Sequence, residues 1–424
     1  MTDSIPTTEI LAAAEANFDE QVAFTRELTA IPSLRGQEAP AQDVMARAYK
    51  DAGLAVERFR IDLDTIRGLP GFSPVAVSYD DAWNVVGTHR PESQKGRSLI
   101  VNGHIDVVPT GPVEMWSAHP FQPHVEGDWL YGRGGGDMKA GLVAGLYALK
   151  ALQRAGLRPA AEVYFQSVIE EECTGNGALA CLARGYRGEA ALIPEPMGDA
   201  LSTAQVGVMW FQVKVRGRPV HVAVAGTGAS AIEAAFPLMQ ALHRLEAKWN
   251  AEKHPAFAGI DHPLNLVVSR IEGGDWTSSV PAWCTFDVRC GLYPGSDLAA
   301  IRGEIEATIR EASREVPFLA NAPPEIADHG FQAEGYVVED ADEAIATLEG
   351  SHRAVYGEAL PRGALTGTTD ARFFGLYADI PGLVYGPVAE EIHGFDERVS
   401  LSSTLKITQS MALFMAAWCG LERV

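Results

Sequence analysis

The chain reads as an α/β protein, a three-layer α/β unit with a mostly parallel sheet that is interrupted by a smaller α+β unit. Three observations predict this. Short, strongly apolar runs at residues 99–103, 163–169, 190–193 and 383–385, with a similar run at 83–87, have the texture of strands buried on both faces by helices. Between two of them, residues 138–155 place Leu142, Leu146, Leu149 and Leu152 on one helical face, with Gly156 just beyond. The texture changes at Val208 and changes back near Val316.

In chain order, the first 30 residues predict one helix, with Ile10, Leu11, Ala14, Phe18, Val22 and Leu28 on a helical period and Ile31-Pro32 ending it. A second helix over 41–52 stops at Gly53, and the Gly-, Pro- and Asp-rich residues 61–81 predict an irregular excursion. In the middle, 208–215 alternates, 229–249 is helical, 265–271 and 282–292 are strand-like, and 297–314 is helical. Strand, helix, two strands, helix is an α+β order. The expected division is therefore residues 1–205 and 319–424 for one domain and 206–318 for an inserted one. No internal repeat is visible.

A chain of 424 residues exceeds one compact core, and its 47% apolar content argues against disorder. Lys and Arg number 34 against 55 Asp and Glu, and the net charge of −21 repels phosphate backbones and anionic headgroups. Nucleic-acid and membrane partners are not expected. No run approaches the ~18 apolar residues of a spanning helix, and MTDSIPTTEI has neither a basic region nor an apolar one, so a cytoplasmic protein is expected. Five cysteines without a CxxC pair fit reduced thiols. A metal would have to use His and carboxylates.

Residues of that kind cluster where the strands end. His104 and Asp106 follow residues 99–103, two apart and so on one side of extended backbone. Glu170, Glu171 and Glu172 follow 163–169, Glu195 follows 190–193, and His393 lies shortly past 383–385. Asp137 stands at the start of the 138–155 helix, where the dipole favours a carboxylate. Ligands of open α/β sheets collect at the carboxyl ends of strands. Taken singly, a His after a strand is commonly a packed residue and a Glu run a solvated edge. Three glutamates beside a buried strand nevertheless repel one another unless a positive charge offsets them. Two His and three carboxylates suit zinc, and a bridging carboxylate suits a two-metal hydrolytic site.

Competing motifs are weaker. Gly226-x-Gly228-x-x-Ala231 fits a dinucleotide fingerprint locally, but the nearest acid, Glu246, falls inside the continuing helix, so a tight turn explains the glycines better. GRGGGD lacks the Gly-Lys-Ser/Thr of a phosphate loop, no G-x-S-x-G is present, and Cys173 has no neighbouring His.

Together GHIDVVP, Trp116 with Phe121, LYGRGGGDMKAG, EEECTGNGAL, the Glu of PEP and the His of EEIHGFDE resemble the dizinc amidohydrolase and metallopeptidase family. That family includes acetylornithine deacetylase, succinyl-diaminopimelate desuccinylase, aminoacylase and glutamate carboxypeptidase. The motifs run in family order over most of the chain. The resemblance implies a catalytic α/β domain with an inserted lid that commonly dimerises. It implies His104, Asp137 and Glu195 on one metal and Asp137, Glu172 and His393 on the other, with Asp106 orienting His104 and Glu171 as general base. The ions would be two divalent metals, zinc first and cobalt as the alternative. From the lid, His221 would reach the other subunit's site and Arg289 would hold a substrate carboxylate, with Ser278 and Thr368 as further substrate-binding positions. Ser278 stands where the family has Asn, and Ser230 departs from its G-x-N-A-I pattern.

The function this implies is hydrolysis of the amide of a small N-acyl amino acid by a deacylase of the acetylornithine type, through a metal-activated water. A carboxypeptidase or dipeptidase with the same site is the enzyme alternative. A non-catalytic metal-binding protein, in which Glu171 would be dispensable, and a nucleotide-dependent oxidoreductase are the alternatives of other classes.

Overall fold

The structure is a computed structural model that describes residues 5–424, so the opening MTDS lies outside the described residues. Its largest sheet has nine strands, eight of them in the order Ala55–Arg60, Trp83–His89, Val163–Val168, Leu99–His104, Ala190–Ile193, Gly382–Tyr385, Leu201–Gln205, Tyr336–Val337, with Arg362–Leu365 also on Leu201–Gln205. The four central strands from Val163–Val168 to Gly382–Tyr385 are parallel. Every residue of Leu99–His104 and Ala190–Ile193 is buried, as continuous apolar runs in a doubly covered parallel sheet require. Parallel pairing sends the carboxyl ends of all four to the same edge. The chain is a mixed α/β protein.

Helix Ala140–Arg154 lies against this sheet and against helix Leu401–Cys419, with twelve of its fifteen residues buried. Two glycines set how close it comes. A Cβ on Gly145 would meet Val101 at 2.7 Å, and one on Gly141 would stand 1.9 Å from the carbonyl oxygen of Pro194, the residue before Glu195. Among the described residues no helix is long and apolar enough to cross a membrane.

The N-terminal region differs from the single helix expected. Two helices, Thr7–Ala16 and Phe18–Thr29, meet at Asn17, whose backbone (φ −94°, ψ −5°) turns the chain. The cause is tertiary: Asn17 is buried, and its Oδ1 accepts a hydrogen bond from Arg154 at 3.1 Å. The ammonium of Lys139, fully buried, donates to the carbonyls of Leu28 and Ile31, both at 2.9 Å. It satisfies the open C-terminal end of Phe18–Thr29.

A separate antiparallel sheet has the order Leu266–Gly273, Trp283–Leu292, Gly207–Arg216, Glu325–Ala333. Helices Ala231–Asn250 and Leu298–Arg314 cover one face, burying Met209, Phe211, Val213, Phe286 and Val288. Strand alternation turns Trp210, Gln212, Asp287 and Arg289 to the other face, with Trp210 opposite Arg289 and Gln212 opposite Asp287. The fourth strand, Glu325–Ala333, lies beyond residue 318. The turn over Gly226 and Gly228 is tight: a Cβ on Gly228 would meet Val220 at 2.6 Å and the Arg218 carbonyl oxygen at 2.9 Å.

Gly141→Ala should destabilise the fold by at least about 1–3 kcal/mol, the usual range for overpacking, because a backbone carbonyl has to yield and the methyl outweighs any gain in helix propensity. Thermal unfolding of the variant checks this, with Gly350→Ala, whose Cβ position is open, as the control that should not lose stability.

Candidate metal centre

The carboxyl edge of the large sheet gathers six acid and imidazole side chains. His104 ends its strand fully buried. Its Nδ1 lies 2.9 Å from the backbone carbonyl of Asp106 and 3.6 Å from the Asp106 carboxylate. Donation from Nδ1 leaves Nε2 free to face the cluster. That Nε2 is 3.1 Å from Asp137 Oδ1, 3.8 Å from Glu195 and 3.9 Å from Glu171. The other oxygen of Asp137 is 3.4 Å from His393 Nε2, which lies 3.2 Å from Glu172. Asp137 therefore stands between the two imidazoles and offers one oxygen to each.

His104, Glu171 and Glu195 bring ligand atoms within 4.8 Å of one another, and so do His104, Asp137 and Glu172. The first trio is buried, Asp137 and Glu172 are half-buried, and the His393 side chain is exposed. Among the described residues no Lys or Arg ion-pairs with any of the six. Four carboxylates and two imidazoles with no Lys or Arg partner among the described residues fit divalent cations: the donor types are right, and the carboxylates outnumber the imidazoles even when both rings are protonated.

Local backbone conformation makes this convergence possible. Asp137 is not in the helix expected to begin at 138. It sits in the turn Gly135–Lys139 with non-helical backbone (φ −117°, ψ 99°), and the helix starts at Ala140. Glu170 has φ 69°, and its carbonyl accepts hydrogen bonds from the amides of Cys173, Thr174 and Gly175. This left-handed residue separates the three glutamates. The Glu170 carboxylate turns away to Arg35 (2.5 and 2.7 Å), Tyr79 and Thr174, while Glu171 and Glu172 face the cluster. The positive charge that offsets Glu170 is thus a guanidinium. Glu391, His393 and Asp396 are also left-handed, so, among the described residues, four of the seven non-glycine residues with positive φ lie on the two segments that supply Glu171, Glu172 and His393. Such conformations cost about 1–3 kcal/mol each and persist where neighbours fix them.

Electrostatics follow the geometry. Burial pushes the Glu171 and Glu195 carboxyls well above the ordinary range, with the His104 imidazole opposing. Burial also raises Asp106, to about 7. Burial would raise Asp137 too, but hydrogen bonds from His104 and His393 outweigh it and hold that carboxyl well below its usual value. Burial resists a charge on His104, yet Glu195, Asp137 and Glu171 hold it well above the ordinary imidazole value. Glu172 and then Asp137 raise His393 to about 11.

The remaining expected residues lie elsewhere. Arg289 donates to the carbonyls of Asn265 and Thr366, both at 3.2 Å, and has no carboxylate partner among the described residues. Thr368, on the same loop as Thr366, accepts from Gln205 at 3.2 Å. His221 and Ser278 are exposed, in neighbouring segments joined by the Val222 amide and the Ser278 carbonyl, with no hydrogen bond to the cluster. The five cysteines are free, four of them buried and Cys173 half-buried. Sequence reasoning assigned no role to Arg133 or Glu397, a buried ion pair beside Asp137, nor to Asp370, buried with one oxygen unpartnered and its pKa raised by burial to about 7.

This fold and site define a hydrolase of the metallopeptidase type. The model of peptidase family M20/M25/M40 matches residues 100–417, and the chain belongs to that family. It is a hydrolase of amide bonds. The chain is 28% identical to N-formyl-4-amino-5-aminomethyl-2-methylpyrimidine deformylase of Halalkalibacterium halodurans, over 98% of each chain. It is 27% identical to succinyl-diaminopimelate desuccinylase of Stenotrophomonas maltophilia, over 89% of this chain and 93% of that one. The fold is similar to that of the di-peptidase Dug1p from Saccharomyces cerevisiae, with TM-score 0.80, 14% identity and 99% of both chains covered.

Because both imidazoles hold protons above their ordinary pKa, an incoming cation has to displace them. Metal binding should therefore release protons at neutral pH, and the apparent affinity should fall as pH is lowered. Titration calorimetry in buffers of different ionisation enthalpy reads the protons released. A binding heat independent of the buffer contradicts the assignment.

Proposed function

We propose that the chain deacylates a small N-acyl amino acid at a centre of two divalent metal ions, zinc first and cobalt as the alternative. His104, Asp137 and Glu195 would hold one ion, and Asp137, Glu172 and His393 the other. The observation that carries this reading is the placement of Glu171, buried and 3.9 Å from His104 Nε2, in a cluster that no Lys or Arg among the described residues ion-pairs with. Bound metal ions would polarise the amide carbonyl and make water acidic enough to attack at neutral pH.

The chain's own residues do the rest. Glu171 takes the proton of the attacking water as the C–O bond forms, and delivers it to the nitrogen as the C–N bond breaks, leaving a carboxylate and an amine. Burial raises its carboxyl above the ordinary carboxylate range, the direction that suits a group that must both accept and return a proton. Glu170 is bound to Arg35 and cannot substitute. Asp106 orients His104 through its backbone carbonyl. Arg289, a guanidinium with only carbonyl partners among the described residues, would take a substrate carboxylate beside Thr368, and Ser278, next to His221, would bind substrate together with it.

The smaller sheet is read as a lid over residues 206–318, continued through the strand Glu325–Ala333, set in a catalytic domain formed by the rest. Its edge strand Leu266–Gly273 exposes Val267 and Ile271, which supports a homodimer through this edge and a His221 that serves the partner's site. The free cysteines support a cytoplasmic location. A second reading, deformylation of an aminopyrimidine, is favoured by the full-length similarity to the deformylase. Dipeptide hydrolysis is a third, and a panel of N-formyl, N-acetyl and N-succinyl amino acids, the formylated aminopyrimidine and dipeptides separates them.

Glu171→Gln should keep fold and metal but lose about 10²–10⁴-fold in kcat, the usual contribution of a general base. Mixing it with inactive His221→Ala should restore some activity, since a mixed dimer holds one site with both groups intact. If subunits exchange and no activity returns, each site is complete within one chain.

A further inference from the structure

The two segments that supply Asp137 and His393 are far apart in sequence, yet the paired ligand atoms lie 3.4 Å apart. What holds them there is a buried ion pair outside the cluster. Glu397 is fully buried and Arg133 nearly so. One Glu397 oxygen takes the Arg133 guanidinium, and the other accepts the backbone amides of Gly136 at 2.9 Å and Asp137 at 3.0 Å. The Glu397 carbonyl accepts the amide of Gly132. Arg133 in turn donates to the carbonyl of Gly394, the residue after His393, at 2.9 Å, and stacks over Trp116. Trp116 meets Phe395 edge-on, and Ser117 binds the Asp396 carboxylate. The turn and the loop come so close that a Cβ on Gly136 would stand 2.8 Å from that of Ala389.

A buried ion pair is a poor stabiliser, because desolvation offsets its attraction, and it is better suited to fixing one arrangement among several. Apart from a long contact of Arg133 with the Pro109 carbonyl at 3.5 Å, the side-chain bonds of the pair to the backbone end on the two ligand-bearing segments. The loop also contains three left-handed non-glycine residues, Glu391, His393 and Asp396, a conformation it would relax if released.

We propose that Glu397, held by Arg133, is a positioning residue for the ion shared by Asp137, Glu172 and His393. It fixes the separation of two of that ion's three ligands, whereas the ion of His104 and Glu195 depends on it only through Asp137. This rests on the two-metal reading above. Partners behind metal ligands typically affect affinity by about 10–100-fold, so the two ions should respond unequally.

The test is titration of the metal-stripped full-length protein with zinc against a chromophoric chelator, with Tm recorded alongside. Glu397→Ala should bind its first equivalent near wild-type affinity and its second at least about 10-fold more weakly, with kcat lowered, KM little changed and activity partly recovered in excess zinc. The double variant Arg133→Met with Glu397→Gln removes the buried charges but keeps the acceptor for the Gly136 and Asp137 amides, so its second affinity should exceed that of Glu397→Ala. It also carries the test by comparison with wild type if Glu397→Ala does not fold, with a second affinity within a few-fold of wild type expected and complete loss of the second ion contradictory. Equal weakening of both ions, or a lowered Tm with both affinities unchanged, overturns the proposal. A wild-type protein that binds a single ion overturns the two-metal reading first, and the proposal with it.

Discussion

The arrangement depends on unbalanced negative charge gathered at the carboxyl edge of a parallel sheet. Four carboxylates and two imidazoles converge there, and no lysine or arginine among the described residues ion-pairs with any of them. Cations stand one step back. Arg35 is bound to Glu170, next to Glu171, and Arg133 is bound to Glu397, which accepts the amide of Asp137. Both arginines pair with carboxylates outside the cluster, leaving the cluster itself to be neutralised by added cations. Without a cation, its two imidazoles hold their protons well above the ordinary value.

The surrounding fold is organised to bring that charge together. Four parallel strands end on one edge, helix Ala140–Arg154 lies close enough that Gly141 touches the carbonyl preceding Glu195, and Lys139 ties the Asp137 turn to the end of helix Phe18–Thr29. The smaller sheet turns a polar face carrying Gln212, Asp287 and Arg289 away from its own helices, and Arg289 reaches the Thr366 carbonyl of the larger unit.

Much of this was legible in the sequence because the signals were local. Unbroken apolar runs marked the central strands, and the acids and histidines that follow them marked the site. What was not legible came from contacts between distant segments. Nothing in EEEC separates Glu170 from its neighbours, since the left-handed turn and the bond to Arg35 exist only in the fold. The break at Asn17 reflects Arg154, and the buried pair of Arg133 and Glu397 joins two motifs that were read separately. Strand Glu325–Ala333 carries no strand signal in the sequence, because EIADHGFQA is polar and interrupted by Gly330, which is left-handed in the fold. It is held by pairing with Gly207–Arg216 across a register shift.

The central claim is that Asp137 joins two ion positions, one oxygen facing each imidazole. The most direct test is the metal content of Asp137→Ala, dialysed against trace zinc beside the wild type and checked for fold by circular dichroism. The account predicts two ions per chain for the wild type and none for the variant, because the bridge is lost from both sites at once. A folded variant that keeps one ion tightly bound, or both, contradicts it.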